Sequence, residues 1–283
     1  MEQYNLQLGG GTLLQVANRT PKQMMSYIID TPDGGVVVID GGNYVREDAE
    51  CLYDYLAERG KRVNTWFMTH AHGDHIGALT FLMEREDFDL NIERVCLHFP
   101  DLDWIYQIDP NSYFLTIKFM SLLRLHNIKV ITVYPDEICA CAGVDVEVLS
   151  VPDAYRKYPN INSTSLILMV KYPEKEVLFL GDFDKFAQEE YICKHDTQKL
   201  RCDIVQMAHH GQGGVDKHFY EYIQPKVCLY PAPKWLWENN LYCVNEPETA
   251  GKGPFTTMET RSWMEELGVI ESYTQENGDI LFI

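Results

Sequence analysis

The chain has 283 residues, 46% of them hydrophobic and 23% charged, enough apolar content to bury a substantial core. That composition excludes a disordered tail, a collagenous repeat and a small disulfide scaffold. Lys and Arg total 24 against 42 Asp and Glu, and the formal net charge of −18 repels polyanions at long range. No apolar run approaches the roughly 18 residues that a membrane-spanning helix needs. Met1–Gly11 has neither a basic stretch nor an apolar one of the kind that marks a secretory signal, so a cytoplasmic protein is expected. The eight cysteines, Cys139 and Cys141 among them as a C-x-C pair, are accordingly expected to be reduced thiols.

Strands are predicted at Leu13–Asn18, Met25–Asp30 and Gly35–Ile39, the last running into Asp40-Gly41-Gly42. A helix follows over Arg46–Arg59, with Cys51, Leu52, Tyr55 and Leu56 on its apolar face and Gly60 as its stop. Val63–Met68 reads as a strand ending at Thr69-His70, then a helix around Ile76–Glu84. A strand near Arg94–His98 and a helix over Ser112–Leu125 come next. Strands are predicted at Lys129–Tyr134, Val144–Ser150, Ser165–Lys171 and Glu176–Leu180, the last leading into Gly181-Asp182. A helix near Lys185–Lys194, a strand at Ile204–Ala208 and a helix near Asp216–Ile223 follow. Thr256-x-x-Glu259 has the form of a capping box for the last helix, and Gly278–Phe282 closes as a strand.

The two halves echo each other. Val36–Asp40 leads through a helix to Trp66–His70, and Val177–Asp182 leads through a helix to Val205–His209. Each time an apolar strand ends in an acid, and about thirty residues later another ends in histidine. Alternating strands and helices imply stacked layers. The echo implies a single domain over 1–283 built of two pseudo-symmetric halves, with polar strand ends meeting at one edge.

The strongest feature is Thr69-His70-Ala71-His72-Gly73-Asp74-His75, three of the chain's nine histidines and a carboxylate within six positions. Imidazole and carboxylate are ligands for zinc, iron or manganese. Alternation at a strand end sends His70 and His72 to one side. A turn through Gly73 then lets Asp74 and His75 point to a neighbouring position, so two adjacent cations are expected. Asp182 follows an apolar strand, where a carboxylate is costly unless paired or metal-bound. It is read as bridging both cations, with a helix cap as the plainer role. His209-His210-Gly211 also follows an apolar strand, and at least one of the pair should close the second site; spacing leaves open which. Asp40 is read either as a turn residue or as the acceptor that orients a ligand histidine.

At these residues the chain resembles the metallo-β-lactamase superfamily: Asp40, then His70-x-His72-x-Asp74-His75, then Asp182, then His209 or His210. Asn162-x-x-Ser165-Leu166, Gly181-Asp182, Ala208-His209-His210-Gly211 and the stretch Trp263–Ile283 are similar to the branch that includes the soluble domain of competence (DNA-uptake) proteins. The resemblance implies an α/β fold, an αββα four-layer sandwich, two divalent metal ions with zinc first and manganese or iron as alternatives, and a metal-bound hydroxide that hydrolyses an ester, amide or phosphoester. Many members place a third histidine between the first motif and the bridging aspartate. Here that interval offers only His98 and His126, neither well placed, so Asn162, Ser163 or Asp153 stands in, or the first site leans on His209 or His210.

Asp74 is the candidate catalytic residue, orienting the attacking water or passing a proton to the leaving group. Pro231–Trp237 is expected in a loop on the same edge, where Lys234 could meet an anionic group while Trp235 and Trp237 form an apolar or cation-binding wall, or simply pack the core. Tyr155 and Tyr158 lie in another stretch that could reach the site. The expected function is a metal-dependent hydrolase acting on a small-molecule ester or phosphodiester. Alternatives are a nuclease or phosphodiesterase on nucleic acid, which −18 disfavours, and a non-hydrolytic metal-binding sensor or redox scaffold. No membrane partner is expected, and the oligomeric state is left open.

Overall fold

Strand Val36–Ile39 shows how the layers arise. Val37 and Ile39 turn to one side and pack among the apolar residues between two sheets, while Val36 and Val38 turn to the other side and pack against helices. Strand Glu176–Phe179 divides likewise: Val177 and Phe179 enter the inter-sheet core, and Leu178 packs outward. Both are buried on both faces, so each reads as a continuous apolar run rather than an alternating one.

A computed structural model describes residues 1–152 and 155–283. One sheet has eight strands in the order Glu2–Tyr4, Ile280–Phe282, Thr12–Gln15, Tyr27–Asp30, Val36–Ile39, Thr65–Phe67, Arg94–Leu97, Lys129–Thr132. The other has seven: Ile138–Cys141, Val144–Ser150, Ile167–Lys171, Glu176–Phe179, Ile204–Gln206, Val227–Tyr230, Glu271–Thr274. Helices Arg46–Glu58, Gly73–Met83 and Pro110–Leu125 cover the first sheet, and Lys185–Lys194, Lys217–Ile223 and Thr257–Glu266 cover the second. The architecture is the expected αββα sandwich. Val36–Ile39 runs parallel to Thr65–Phe67, and Glu176–Phe179 parallel to Ile204–Gln206, so their carboxyl ends share an edge within each sheet. Ligand sites in α/β sheets gather at such ends. Among the described residues no helix is long and apolar enough to cross a membrane.

Three expectations are corrected. The helix expected from Ile76 starts at Gly73, so Asp74 and His75 lie on its first turn rather than in a preceding loop. His72 is its extended N-cap, and its carbonyl accepts from the amides of His75 and Ile76. The strand expected over Val63–Met68 is divided at Asn64: Arg62–Val63 pairs with Asn91–Ile92, and Thr65–Phe67 joins the large sheet. The capping box at Thr256 does not form, because the Thr256 hydroxyl accepts from the amide of Gly213 instead. Leu102–Ile108 is a further helix, and Ile138–Cys141 an edge strand that the sequence reading leaves unassigned.

Candidate metal centre

Four strand ends build the centre. Asp40 sits just past Val36–Ile39 with φ of 56°, its amide donating to the Phe67 carbonyl and its own carbonyl accepting from the Trp66 indole. This fixes its carboxylate beneath the histidine motif, where it accepts from the Thr69 amide at 2.8 Å and the Thr69 hydroxyl at 2.7 Å. Across the sandwich, Gln206 accepts from the amides of Leu180 and Gly181, and the Asp182 amide donates to the Ser165 hydroxyl. Gly181 has φ of +55°, and a Cβ there would stand 2.9 Å from the Cβ of Thr69. The two sheets therefore approach closely where Asp182 meets the histidines.

The donor atoms form two groups that share Asp182. Nitrogen and oxygen atoms of Asp74, His75, Asp182 and His210 lie within 4.8 Å of one another, and so do those of His70, His72 and Asp182. Asp182 Oδ1 stands 3.3 Å from His75 Nε2 and 3.5 Å from His210 Nε2, while Oδ2 stands 3.7 Å from His70 Nε2 and 3.8 Å from His209 Nε2. Asp74 Oδ2 is 3.3 Å from His210 Nε2, and His70 Nε2 is 3.1 Å from His72 Nδ1.

His75 Nε2, His210 Nε2 and Asp182 Oδ1 are buried with no hydrogen-bond partner. Orphaned buried polar atoms are costly, and three donors crowding one point without being aligned on each other is how ligands stand about an ion. The far nitrogens are braced: His75 Nδ1 lies 2.7 Å from the Asp40 carboxylate, and His210 Nδ1 lies 2.8 Å from the Pro231 carbonyl. Such bracing fixes which nitrogen faces a metal. Imidazole and carboxylate donors of this kind suit a divalent transition ion, so these residues fit the metal.

The electrostatics agree. Burial alone would raise the Asp182 and Asp74 carboxyls, yet the surrounding histidines hold both below the usual carboxylate range. Burial works to neutralise His75 and His210, but Asp182 overcomes it and both are pushed upward, with Asp40 aiding at His75 and Asp74 at His210. Carboxylates that push two buried imidazoles upward against burial make a pocket that favours positive charge. His70 goes the other way, lowered first by burial and then by His75, and His209 is lowered first by burial.

A cavity of about 680 Å³ opens beside the centre, with His72, Asp74, Gln23, Tyr44, Leu115 and Trp235 in its wall. Trp235 thus borders the cavity as expected, though it is 5% exposed and its indole N–H is held by the Pro21 carbonyl. The segment expected as a loop carries a short helix, Lys234–Trp237. On it Lys234 stands 3.7 Å from Glu238 one turn on and borders a different groove, so the expected anion contact at the centre is not where the lysine lies. Trp237 is a cation-binding wall only for the chain itself, with the Arg261 guanidinium 3.9 Å from its ring. Asn162 does reach the centre, its Nδ2 3.2 Å from His209 Nε2. Ser163 hydrogen-bonds Asp184 instead, Tyr155 packs on Trp104, and Asp153 lies outside the described residues. His98 and His126 are held by the carbonyls of Val133 and Met83.

Two residues escaped the sequence reading. Gln23 Nε2 lies 3.4 Å from Asp74 Oδ2, and Gln212 donates to Gln23 Oε1 at 2.7 Å, a polar link over Asp74 from both halves. Neither lies in a motif. The only available signal for Gln212 is its place directly after His209-His210-Gly211.

A family model described as the metallo-beta-lactamase superfamily matches residues 19–192, more than half of the chain. No curated protein matches it. The metallo-beta-lactamase fold protein YhfI from Bacillus subtilis is similar, with 13% identity, a TM-score of 0.52, and coverage of 96% of this chain and 99% of that one. Unliganded yeast PDE1 shares 11% identity at a TM-score of 0.52, covering 97% and 100%. CmlA, a diiron beta-hydroxylase from Streptomyces venezuelae, shares 14% at 0.57, covering 93% of this chain but 52% of its own. At such identities the likeness establishes the fold.

Proposed function

The chain belongs to the metallo-beta-lactamase superfamily, and from that premise we propose that it is a binuclear metal-dependent hydrolase acting on a small ester, phosphodiester or related substrate. The observation that carries the reading is the division of Asp182, one oxygen to each donor group. His70, His72 and Asp182 Oδ2 would hold one ion, and Asp74, His75, Asp182 Oδ1 and His210 the other, with zinc the first choice and manganese or iron suited to the same donors. When bound, such ions activate water near neutral pH and polarise the scissile oxygen.

The chain's own groups do the rest. Asp74, 18% exposed and bordering the cavity, is placed to orient an attacking water, or to accept that water's proton and pass it to the leaving group. Asp40 and Thr69 hold the His75 ring against rotation. The cavity's volume is that of a small-molecule site, walled by Trp235, Tyr44 and Leu115. Resemblance to the competence-protein branch points toward DNA, but a polymer must cross much of an acidic surface carrying −18, whereas a small substrate need only enter the cavity. Screening confines that repulsion to about 8 Å at physiological salt without reversing its sign. We take residues 1–283 as one cytoplasmic domain whose centre is assembled from two echoing halves.

Elemental analysis of the purified protein, run beside phosphodiester, lactone, thioester and β-lactam substrates, tests the reading. Two ions per chain with turnover of at least one class supports it. Two ions with no turnover of any class overturns hydrolysis in favour of a metal-binding sensor or redox scaffold.

A further inference from the structure

Resting on the metal-binding reading above, we propose that His209 completes the ligand set of the His70 side, so that each member of the His209-His210 pair serves a different ion through a different oxygen of Asp182. The two sides differ in donor count. The His75 side has four: Asp74, His75, Asp182 Oδ1 and His210. The His70 side has three: His70, His72 and Asp182 Oδ2. Four-coordinate zinc takes a fourth donor there, from water or from the protein.

Distance selects His209. Two ligands each about 2.0–2.1 Å from a tetrahedral ion stand about 3.3–3.4 Å apart. On the His75 side the corresponding separations are 3.3 Å and 3.5 Å. On the His70 side, His70 Nε2 stands 3.7 Å from Asp182 Oδ2, and His209 Nε2 stands 3.8 Å from that same oxygen. His209 Nε2 thus stands about as far from that oxygen as His70 Nε2 does, but outside the group in which the His70, His72 and Asp182 donors lie within 4.8 Å of one another, so it has to swing inward to join them. The remaining histidines are engaged elsewhere: His98 and His126 on main-chain carbonyls, His195 stacked on Tyr191, and His218 beside Glu189.

The backbone explains how neighbours reach both sides. His209 (φ 50°, ψ 52°) and His210 (φ 57°, ψ 16°) both adopt left-handed conformations that non-glycine residues rarely take, followed by Gly211 at φ +82°. The turn is held by the His209 amide on the Gly181 carbonyl, the Gln212 amide on the His209 carbonyl, and the Thr260 hydroxyl on the Gly211 carbonyl. Two consecutive imidazoles thereby flank one carboxylate, their ring centroids 6.2 Å apart. Strain of this kind at a candidate site persists only where its surroundings enforce it. Asn162 bears on the same nitrogen: its Nδ2 sits 3.2 Å from His209 Nε2 and its Oδ1 is buried with no partner, so an ion at Nε2 has to displace the Asn162 amide.

The test uses the full chain, stripped of metal and titrated with Zn²⁺ by calorimetry and with Co²⁺ by visible absorption; no substrate is involved. Wild type should take up two ions. His209→Ala should keep one at wild-type affinity and weaken the other roughly hundredfold or more, beyond the 10–100-fold typical of a lost bracing contact. His210→Ala should weaken the complementary ion, and the two variants should perturb different cobalt bands. His209→Gln, which keeps a polar partner for Asn162 without an imidazole, restores binding if the role is structural and fails to restore it if His209 is a ligand. Two ions bound to His209→Ala as tightly as to wild type, equal loss of both, or rescue by glutamine overturns the proposal while leaving the two-metal reading in place. A wild type that binds one ion overturns both.

Discussion

The two sides of the centre are built to different standards. On the His75 side both imidazoles are fully buried, and each is braced at its far nitrogen, by the Asp40 carboxylate at 2.7 Å and the Pro231 carbonyl at 2.8 Å. On the His70 side His70 is buried beside the Thr69 hydroxyl at 3.1 Å, but His72 borders the cavity and the His209 side chain is 25% exposed. Bracing fixes geometry before an ion arrives, so less is lost on binding. On the proposed two-metal reading the difference is one of preorganisation, two braced imidazoles on one side and less braced ones on the other, while both sides reach the cavity, through Asp74 and through His72.

Asp182 belongs to both sides, so its loss is expected to have the largest effect. Asp182→Asn keeps the shape but removes the charge that offsets two neighbouring dications. Metal content should fall to one per chain or fewer and turnover by at least on the order of a thousandfold, about 4 kcal/mol of barrier. Elemental analysis with retained stoichiometry would show that the carboxylate does not join the two sides; it is not a helix cap either, since Asp184 caps Lys185–Lys194 by accepting from the Phe186 amide.

Chelation comes next. Ligands from both sheets converge only in the fold, so each ion should stabilise the native state by about 2.7 kcal/mol at a free concentration a hundred times its Kd. His72→Ala should reproduce only the His70-side part of that loss, with metal content and Tm falling together. If calorimetric melting showed His72→Ala to match full chelation, the two sides would be one cooperative site.

Asp40→Asn sharpens the comparison further. It should weaken the His75-side ion by about 10–100-fold and leave the other near wild type. Equal weakening of both ions in a metal titration would break the claim that bracing is local. The smallest effect expected is none: metal-loaded protein incubated with single- and double-stranded DNA and RNA at low salt should leave them intact. Cleavage abolished in the His72 and Asp182 variants would instead promote the nuclease reading.

Much of this was legible because the signals are periodic or chemically dense. Buried strands such as Val36–Ile39 stand out as β-branched runs, and no bland explanation suits three histidines and an acid in six positions. What escaped depends on contacts that spacing does not encode. Gly73 suggests a break, yet it opens the helix, where an added Cβ would meet only the Leu115 side chain, at 3.4 Å. Lys234 suggested an anion site because the helix that pairs it with Glu238 was not foreseen. The splayed His209-His210 turn rests on positive φ at non-glycine residues, which tertiary hydrogen bonds impose and local sequence does not announce.

The strand order of the first sheet carries a consequence for synthesis. Ile280–Phe282 lies between Glu2–Tyr4 and Thr12–Gln15, pairing with both. Ile280 and its register partner Gln15 are 265 positions apart. At about 5–20 residues per second, a ribosome needs about a quarter of a minute to nearly a minute to make the intervening chain. Throughout that interval Thr12–Gln15 has an unpaired edge, and during the part of it that runs from His75 to Asp182 the three histidines of the motif exist without the carboxylate that joins the two donor groups. For part of synthesis nascent chains should therefore present an aggregation-prone strand edge and an incomplete metal centre together, and the edge itself stays open until Ile280–Phe282 leaves the exit tunnel.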